Sequence, residues 1–206
     1  MEYLGYIITG QGVSTDLQKV TTMKHWPKSK TLKEMKGFLG LTDYYRWFIR
    51  GYGVLSNPLT TLLKKDNFHW GIEADKAFEE LKEAMTQAPM LALLDFSKEF
   101  VLEMDACDVG IGVVLSQEGR PVSYLSQALA PRHLGLNIYD KELLALIVVV
   151  DKWRYYLEGR RFIIRIDHES LKFFSQQRAH NQLQWKGITK LRGMTISFST
   201  RGVKKT

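Results

Sequence analysis

Two hexapeptides in this chain carry the same alternation: Phe100-Val101-Leu102-Glu103-Met104-Asp105 and Phe162-Ile163-Ile164-Arg165-Ile166-Asp167. Apolar residues at every second position mark a strand with one buried face. Each segment ends on an Asp, in phase with Glu103 or Arg165 on the less apolar face. Between them, Tyr139, Leu143, Leu146, Ile147, Val150, Trp153 and Leu157 recur at helical spacing, which predicts a helix over Tyr139–Leu157. Strand, helix and strand read as a crossover, so the two strands are expected to be parallel. Neighbours in register would bring Asp105 level with Asp167 and set Glu103 opposite Arg165. Glu142, read as lying in the helix's first turn and one position off the apolar stripe, is expected to point toward the Asp pair.

The remaining elements follow from pattern and punctuation. Met1–Thr9 is β-prone, and Gly10 and Gly12 mark a turn. Thr15-x-x-Gln18 reads as a capping box for a short helix that Pro27 limits, and Thr31-Leu32-Lys33-Glu34 as a stronger one. The second box opens a helix with Leu32, Met35, Phe38, Leu39, Tyr45 and Phe48 on or near one face. Leu55, Leu59, Leu62 and Leu63 predict a helix around Pro58; Ala74, Phe78, Leu81 and Met85 predict another. Strands are expected at Ile111–Ser116 and Pro121–Leu125, joined at Glu118-Gly119, and at Met194–Ser199; short helices are expected at Ser170–Gln176 and Gln182–Leu191. The expected class is α/β (α+β): a brief strand and a mostly helical part over 1–90, then over 91–206 a five-stranded mixed sheet, three strands antiparallel and two parallel, with flanking helices. Trp153 and Trp185 are expected in the core.

The carboxylates suggest chemistry. Singly, an Asp after a strand is a turn or cap residue, and a Glu early in a helix is a favourable dipole placement. Three forced together repel one another and raise each other's pKa, which a divalent cation relieves. Mg²⁺ takes hard oxygen ligands and completes its shell with water and substrate phosphate. Two such ions roughly 4 Å apart clamp an in-line phosphodiester displacement.

Charge adds a partner. The formal net charge is +7. Between Leu17 and Lys65 stand ten Lys or Arg against two acids, so this segment alone carries +8. A basic concentration of this kind points to phosphate contacts, with Lys24, Lys28, Lys30, Lys33, Lys36, Arg46 and Arg50 as candidates. Gly110 and Gly112 fit hairpin geometry and equally would let a nucleic-acid backbone approach the acids. Cys107 is the only cysteine, so no internal disulfide can form, as suits a reducing compartment. No apolar run approaches the ~18 residues of a membrane span, and Met1–Tyr6 lacks the features of a signal peptide.

These residues resemble a known family. Met104-Asp105-Ala106-Cys107-Asp108-Val109-Gly110-Ile111-Gly112-Val113-Val114-Leu115, Tyr139-Asp140-Lys141-Glu142-Leu143-Leu144-Ala145, Lys152-Trp153-Arg154-Tyr155-Tyr156-Leu157 and Asp167-His168-Glu169-Ser170-Leu171 are similar to the ribonuclease H domain of gypsy-class LTR retrotransposon polyproteins. Tyr3-Leu4-Gly5-Tyr6, Trp26-Pro27, Phe38-Leu39-Gly40-Leu41, Tyr44-Tyr45-Arg46-Trp47-Phe48-Ile49, Asn57-Pro58-Leu59 and Ala77-Phe78-x-x-Leu81-Lys82 resemble the end of the polymerase palm and the thumb and connecting region. The resemblance implies a ribonuclease H-like fold over 91–206, two divalent metals (Mg²⁺, with Mn²⁺ as a substitute), and cleavage of the RNA strand of RNA/DNA hybrids. It makes Asp105, Glu142 and Asp167 three of the family's four metal-binding acids. It implies an RNA/DNA hybrid or template–primer duplex as partner, an intracellular setting in a cytoplasmic particle or the nucleus, and no membrane.

Two departures shape the expectation. No Tyr-x-Asp-Asp tetrad occurs in this sequence, so the chain alone is not expected to polymerise DNA; another chain supplying the palm is a further expected partner. The sequence ends at Thr206 before the family's fourth acid, so impaired cleavage is expected. The alternative expectation is a non-catalytic nucleic-acid-binding remnant of a decayed element.

Overall fold

The computed structural model describes residues 1–64, 68–106, 109–166, 171 and 179–200, leaving aside the side chains of Asp105, Ala106 and Thr200. It divides into two compact units: Met1–Leu93 with Ser123–Ala128, and Leu94–Val122 with Leu129–Thr206. Among the described residues no helix is long and apolar enough to cross a membrane.

The first unit opens with a three-stranded antiparallel meander, β1 (Glu2–Tyr3), β2 (Tyr6–Thr9) and β3 (Gly12–Thr15), where one brief strand was expected. The missed hairpin turns at Leu4-Gly5, both with positive φ (50° and 77°). That is the two-residue geometry whose twist suits a hairpin, but Leu is not the residue that announces it. Tyr44 and Tyr45 pin the turn by donating to the carbonyls of Leu4 and Gly5 at 2.5 and 2.9 Å.

Helix α1 (Leu17–Lys24) is capped by Asp16, whose carboxylate accepts from the Gln18 amide at 2.8 Å. The expected Thr15 box is therefore displaced by one residue, since a carboxylate is a good cap and sits directly before the helix. The second cap opens α2 (Leu32–Tyr44), with its reciprocal half one residue further back than expected: Thr31 accepts from the Glu34 amide at 3.2 Å, and the Glu34 carboxylate accepts from the Lys30 amide at 2.7 Å. Its Met35, Phe38 and Leu39 are buried. Tyr45 and Phe48 are buried too, but beyond the helix, Phe48 in a 3-10 turn at Arg46–Phe48. Short helices α3 (Tyr52–Leu55) and α4 (Asn57–Thr61, with Pro58 in its first turn) lead to α5 (Ile72–Thr86). Ala74, Phe78, Leu81 and Met85 of α5 face inward, and Phe38 packs on Phe78 with ring centroids 4.5 Å apart.

The second unit is built on a five-stranded sheet, in the spatial order third, second, first, fourth, fifth along the chain, and of the third strand only Arg120–Val122 belongs to this unit. Its strands are β4 (Phe100–Ala106), β5 (Gly110–Gln117), β6 (Arg120–Ala128), β7 (Arg161–Ile166) and β8 (Thr195–Thr200). β4 runs antiparallel to β5 and parallel to β7, and β8 is parallel to β7. This is the expected mixed sheet. The alternation holds: Phe100, Leu102 and Met104 of β4 and Phe162, Ile164 and Ile166 of β7 are buried, whereas Glu103 and Arg165 are not. Helices α6 (Ile138–Leu157) and α7 (Gln182–Leu191) flank it. Leu143, Leu146, Ile147, Val150, Trp153 and Leu157 of α6 are buried, with a kink at Trp153. Trp185 of α7, expected in the core, is 63% exposed. The expected turn at Asp108 and the helix at Ser170–Gln176 fall largely outside the described residues.

Candidate active site

The crossover sets where the strands end. β4 and β7 are parallel with Phe100 opposite Phe162 and Glu103 opposite Arg165, so their C-terminal ends lie at one edge of the sheet. Arg165 donates to Glu103 at 2.8 Å, which holds that register on the half-buried face. Helix α6 ends at Leu157, and β7 begins at Arg161. A helix joined so closely to the start of a strand runs back along it. Its N-terminal end therefore lies toward the edge where β4 and β7 finish, and α6 packs on β4 and β5. Asp105 is the sixth residue of β4 and pairs with Gly112 of β5, so a residue without a side chain stands next to that acid on the sheet. Gly110 is buried at the start of β5.

Glu142 is buried, 7% exposed. It lies one residue deeper than expected, because α6 starts at Ile138 and not Tyr139, and its first-turn acid is Asp140. The cap responsible is Asn137, which the sequence reading missed: its Oδ1 accepts from the Asp140 amide at 2.8 Å and its Nδ2 donates to Asp140 Oδ2 at 3.2 Å. An Asn three residues ahead of an Asp, before an apolar run, is the signal that would have located this start. Asp140 and Lys141 are buried beside Glu142, so the first two turns of α6 carry three buried charged side chains. A charge taken out of water is costly unless paired or bound to a cation.

Asp167 and His168 lie outside the described residues, as does the side chain of Asp105. Among the described residues, no three His, Cys, Asp or Glu side chains form a metal-sized cluster. The donor set of two Asp and one Glu consists of hard oxygens and fits Mg²⁺ by its chemistry.

The basic candidates all belong to the first unit. Lys24, Lys28, Lys30, Lys33, Lys36 and Arg50 are exposed, and Arg46 is half-buried. Lys28 is held by Asp75 at 2.6 Å and lies over the Trp70 ring at 5.1 Å. Arg46 is held by Asp43 at 3.2 Å and lies over Trp47 at 4.7 Å. Lys33 and Lys36 share one face of α2, and Lys24 ends α1.

Comparison with known proteins agrees with this architecture. Residues 70–164 match the RNase H-like domain found in reverse transcriptase. The Retrovirus-related Pol polyprotein from transposon 297 of Drosophila melanogaster is 40% identical over 173 residues, 83% of this chain and 16% of that protein. The transposon Tf2-3 polyprotein of Schizosaccharomyces pombe is 36% identical over 179 residues, 83% of this chain and 13% of that protein. The chain thus spans about one-sixth of the length of these relatives or less. Among solved structures, a foamy viral protease-reverse transcriptase with dsDNA superposes on all of this chain and 45% of that chain, with a TM-score of 0.86 at 20% identity. The same enzyme with an RNA/DNA hybrid covers 98% of this chain and 29% of that chain, with a TM-score of 0.83 at 20% identity. At that identity the likeness establishes the fold. Over most of its length the chain is thus similar to a segment of retrotransposon Pol polyproteins, and its residues 70–164 match the RNase H-like domain found in reverse transcriptase.

Proposed function

We propose that this chain hydrolyses the RNA strand of an RNA/DNA hybrid, with Asp105, Glu142 and Asp167 holding divalent metal and the basic first unit gripping the duplex. The observation that carries this reading is the buried Glu142 at the α6 end of the sheet edge where parallel β4 and β7 finish. That hybrid and duplex DNA are bound by structural neighbours supports the choice of substrate.

When bound, Mg²⁺ supplies Lewis acidity toward the scissile phosphate and neutralises the carboxylates. The chain's own residues supply position. Asn137 starts α6 and so sets the height of Glu142 along the sheet. The Arg165–Glu103 pair keeps β7 in register with β4. Gly112, beside Asp105, leaves room for a sugar–phosphate backbone. Lys24, Lys33 and Lys36 offer exposed cations to phosphates, while Lys28 and Arg46 are already engaged with acids and rings and contribute less.

The test is cleavage of an end-labelled RNA/DNA hybrid in Mg²⁺ and then Mn²⁺, beside the Asp105→Asn variant. The reading expects cleavage that this variant abolishes. Salt-sensitive hybrid binding without cleavage in either metal would replace it with a non-catalytic nucleic-acid-binding role.

A further inference from the structure

The stretch from Leu171 to Thr206 contains eight Lys or Arg and no Asp or Glu. Helix α7 is the helix of that stretch among the described residues. Its exposed positions are Gln182, Trp185, Lys186 and Thr189, with Arg192 as the capping residue beyond them, which is the i, i+3, i+4, i+7 spacing of a single helical face. Trp185 is 63% exposed. The opposite side of the helix is already settled: Gly187 is buried, α7 packs along α6, and Lys190 pairs with Asp151 of α6. Trp185 is therefore not a core residue turned outward by a loose helix. It is a large ring held on the outside of a docked one, and Trp is a side chain that folding normally covers.

The surroundings of the ring choose its occupant. A face built to meet another protein's core would gather apolar side chains around it. Here Trp185 is the sole large apolar residue of the exposed face, flanked by Lys186 and Arg192, with an amide at Gln182 and a hydroxyl at Thr189. Cations for phosphates, hydrogen-bonding groups for sugars and a flat ring for a base or sugar face are the set that nucleic acid requires. With no carboxylate on the helix, nothing there repels a phosphate.

We propose that α7 is a second nucleic-acid contact, in the catalytic unit itself, in which Trp185 packs on the sugar and base edge of the duplex and Lys186 and Arg192 take phosphates. The proposal rests on the reading that this chain grips an RNA/DNA hybrid and adds a grip independent of the basic first unit.

The test is fluorescence anisotropy of a dye-labelled RNA/DNA hybrid with the full chain, between about 50 and 200 mM salt. Trp185→Ala weakens binding about 10-fold, and Trp185→Phe regains most of the loss. Lys186→Gln with Arg192→Gln reduces the slope of log affinity against log salt by about 2. All three melt with the unaltered chain, since the replaced side chains are exposed. Equal affinity for Trp185→Ala, with hybrid still bound by the unaltered chain, overturns this inference and leaves the proposed function standing. Failure of the unaltered chain to bind hybrid overturns both. Conversion of an oligomer to a monomer by Trp185→Ala would make the face a protein interface and also overturn the inference.

Discussion

Replacing Asn137 by Ala removes two bonds at the start of the helix that carries Glu142. The first is the cap: Oδ1 accepts from the Asp140 amide at 2.8 Å, and losing such a cap costs about 1 kcal/mol. The second is the donation from Nδ2 to Asp140 Oδ2 at 3.2 Å. Asp140 is 7% exposed, and its Oδ1 already has no hydrogen-bond partner among the described residues. Stripping the donor from its other oxygen leaves a buried polar atom unsatisfied, at about 1–3 kcal/mol. The two together amount to about 2–4 kcal/mol. In a unit of roughly 100 residues, each kcal/mol lowers the melting midpoint by about 4–8 °C, so the second unit should melt at least about 8 °C lower. Asn137→Ser keeps an acceptor for the amide but not the amide donor, and should recover the cap portion only. The assay is circular dichroism melting of the three proteins, with hybrid cleavage measured below the lowest transition. Cleavage should fall in the same order, because the cap sets where Glu142 sits. An Asn137→Ala protein that melts within about 1 °C of the unaltered chain would refute the reasoning.

Four further outcomes concern the stability of the fold. Gly53→Ala should destabilise the first unit by about 1–3 kcal/mol, because a Cβ there would stand 2.5 Å from the Ser126 carbonyl oxygen and 2.8 Å from the Gln127 Cα. Gly40→Ala, inside α2 with nothing within 4 Å of its new carbon, should stabilise by about 0.5–1 kcal/mol; chemical denaturation reads both, and equal signs would count against the geometry. Leu102→Ala, at a fully buried site of β4, should cost about 2–5 kcal/mol in the same experiment. In alkali, burial pushes the Tyr45 hydroxyl up to about 12, helped by the charge of Asp16, and burial does the same at Tyr52 against the opposing hydrogen bond of Thr42. A folded-state value above the unfolded 10 means stability that is complete below pH 10 and lost as pH rises toward 12. Ultraviolet titration should show Tyr45 and Tyr52 ionising late, beside Tyr6 and Tyr139, which burial also raises, and Tyr45→Phe with Tyr52→Phe should remove only those two tyrosines' share of the late step.

Much of the second unit was legible because its signals are local and periodic. The alternation in Phe100–Asp105 and Phe162–Asp167 gave the strands, and the helical period between them made those strands parallel. The opposition of Glu103 and Arg165 followed from these two facts alone, and the ion pair is there at 2.8 Å. The misses are of two physical kinds. Some are caps, where a neighbouring side chain competed for the same amides: Asp16 displaced Thr15, and Asn137 moved the start of α6 so that Glu142 fell into the second turn. Others depend on what happens beyond the local chain. Leu4 takes a positive φ because Tyr44 and Tyr45 hold the hairpin turn from afar. Trp185 lies outside although tryptophan usually lies inside, since the face of α7 that docks is the one with Gly187 and Lys190. Of the candidate acids, Asp105 stands in β4 opposite Gly112, and Glu142 is buried in α6.

The most direct test of the central claim is single-turnover hybrid cleavage by Glu142→Gln, a change that keeps the shape of the side chain and removes its charge. Loss of a residue that only supports a metal ligand costs about 10–100-fold. If Glu142 is itself a ligand, cleavage in Mg²⁺ should fall by more than that, with the melting midpoint and hybrid affinity unchanged. Cleavage at the unaltered rate would show that this buried carboxylate serves the fold and not the reaction.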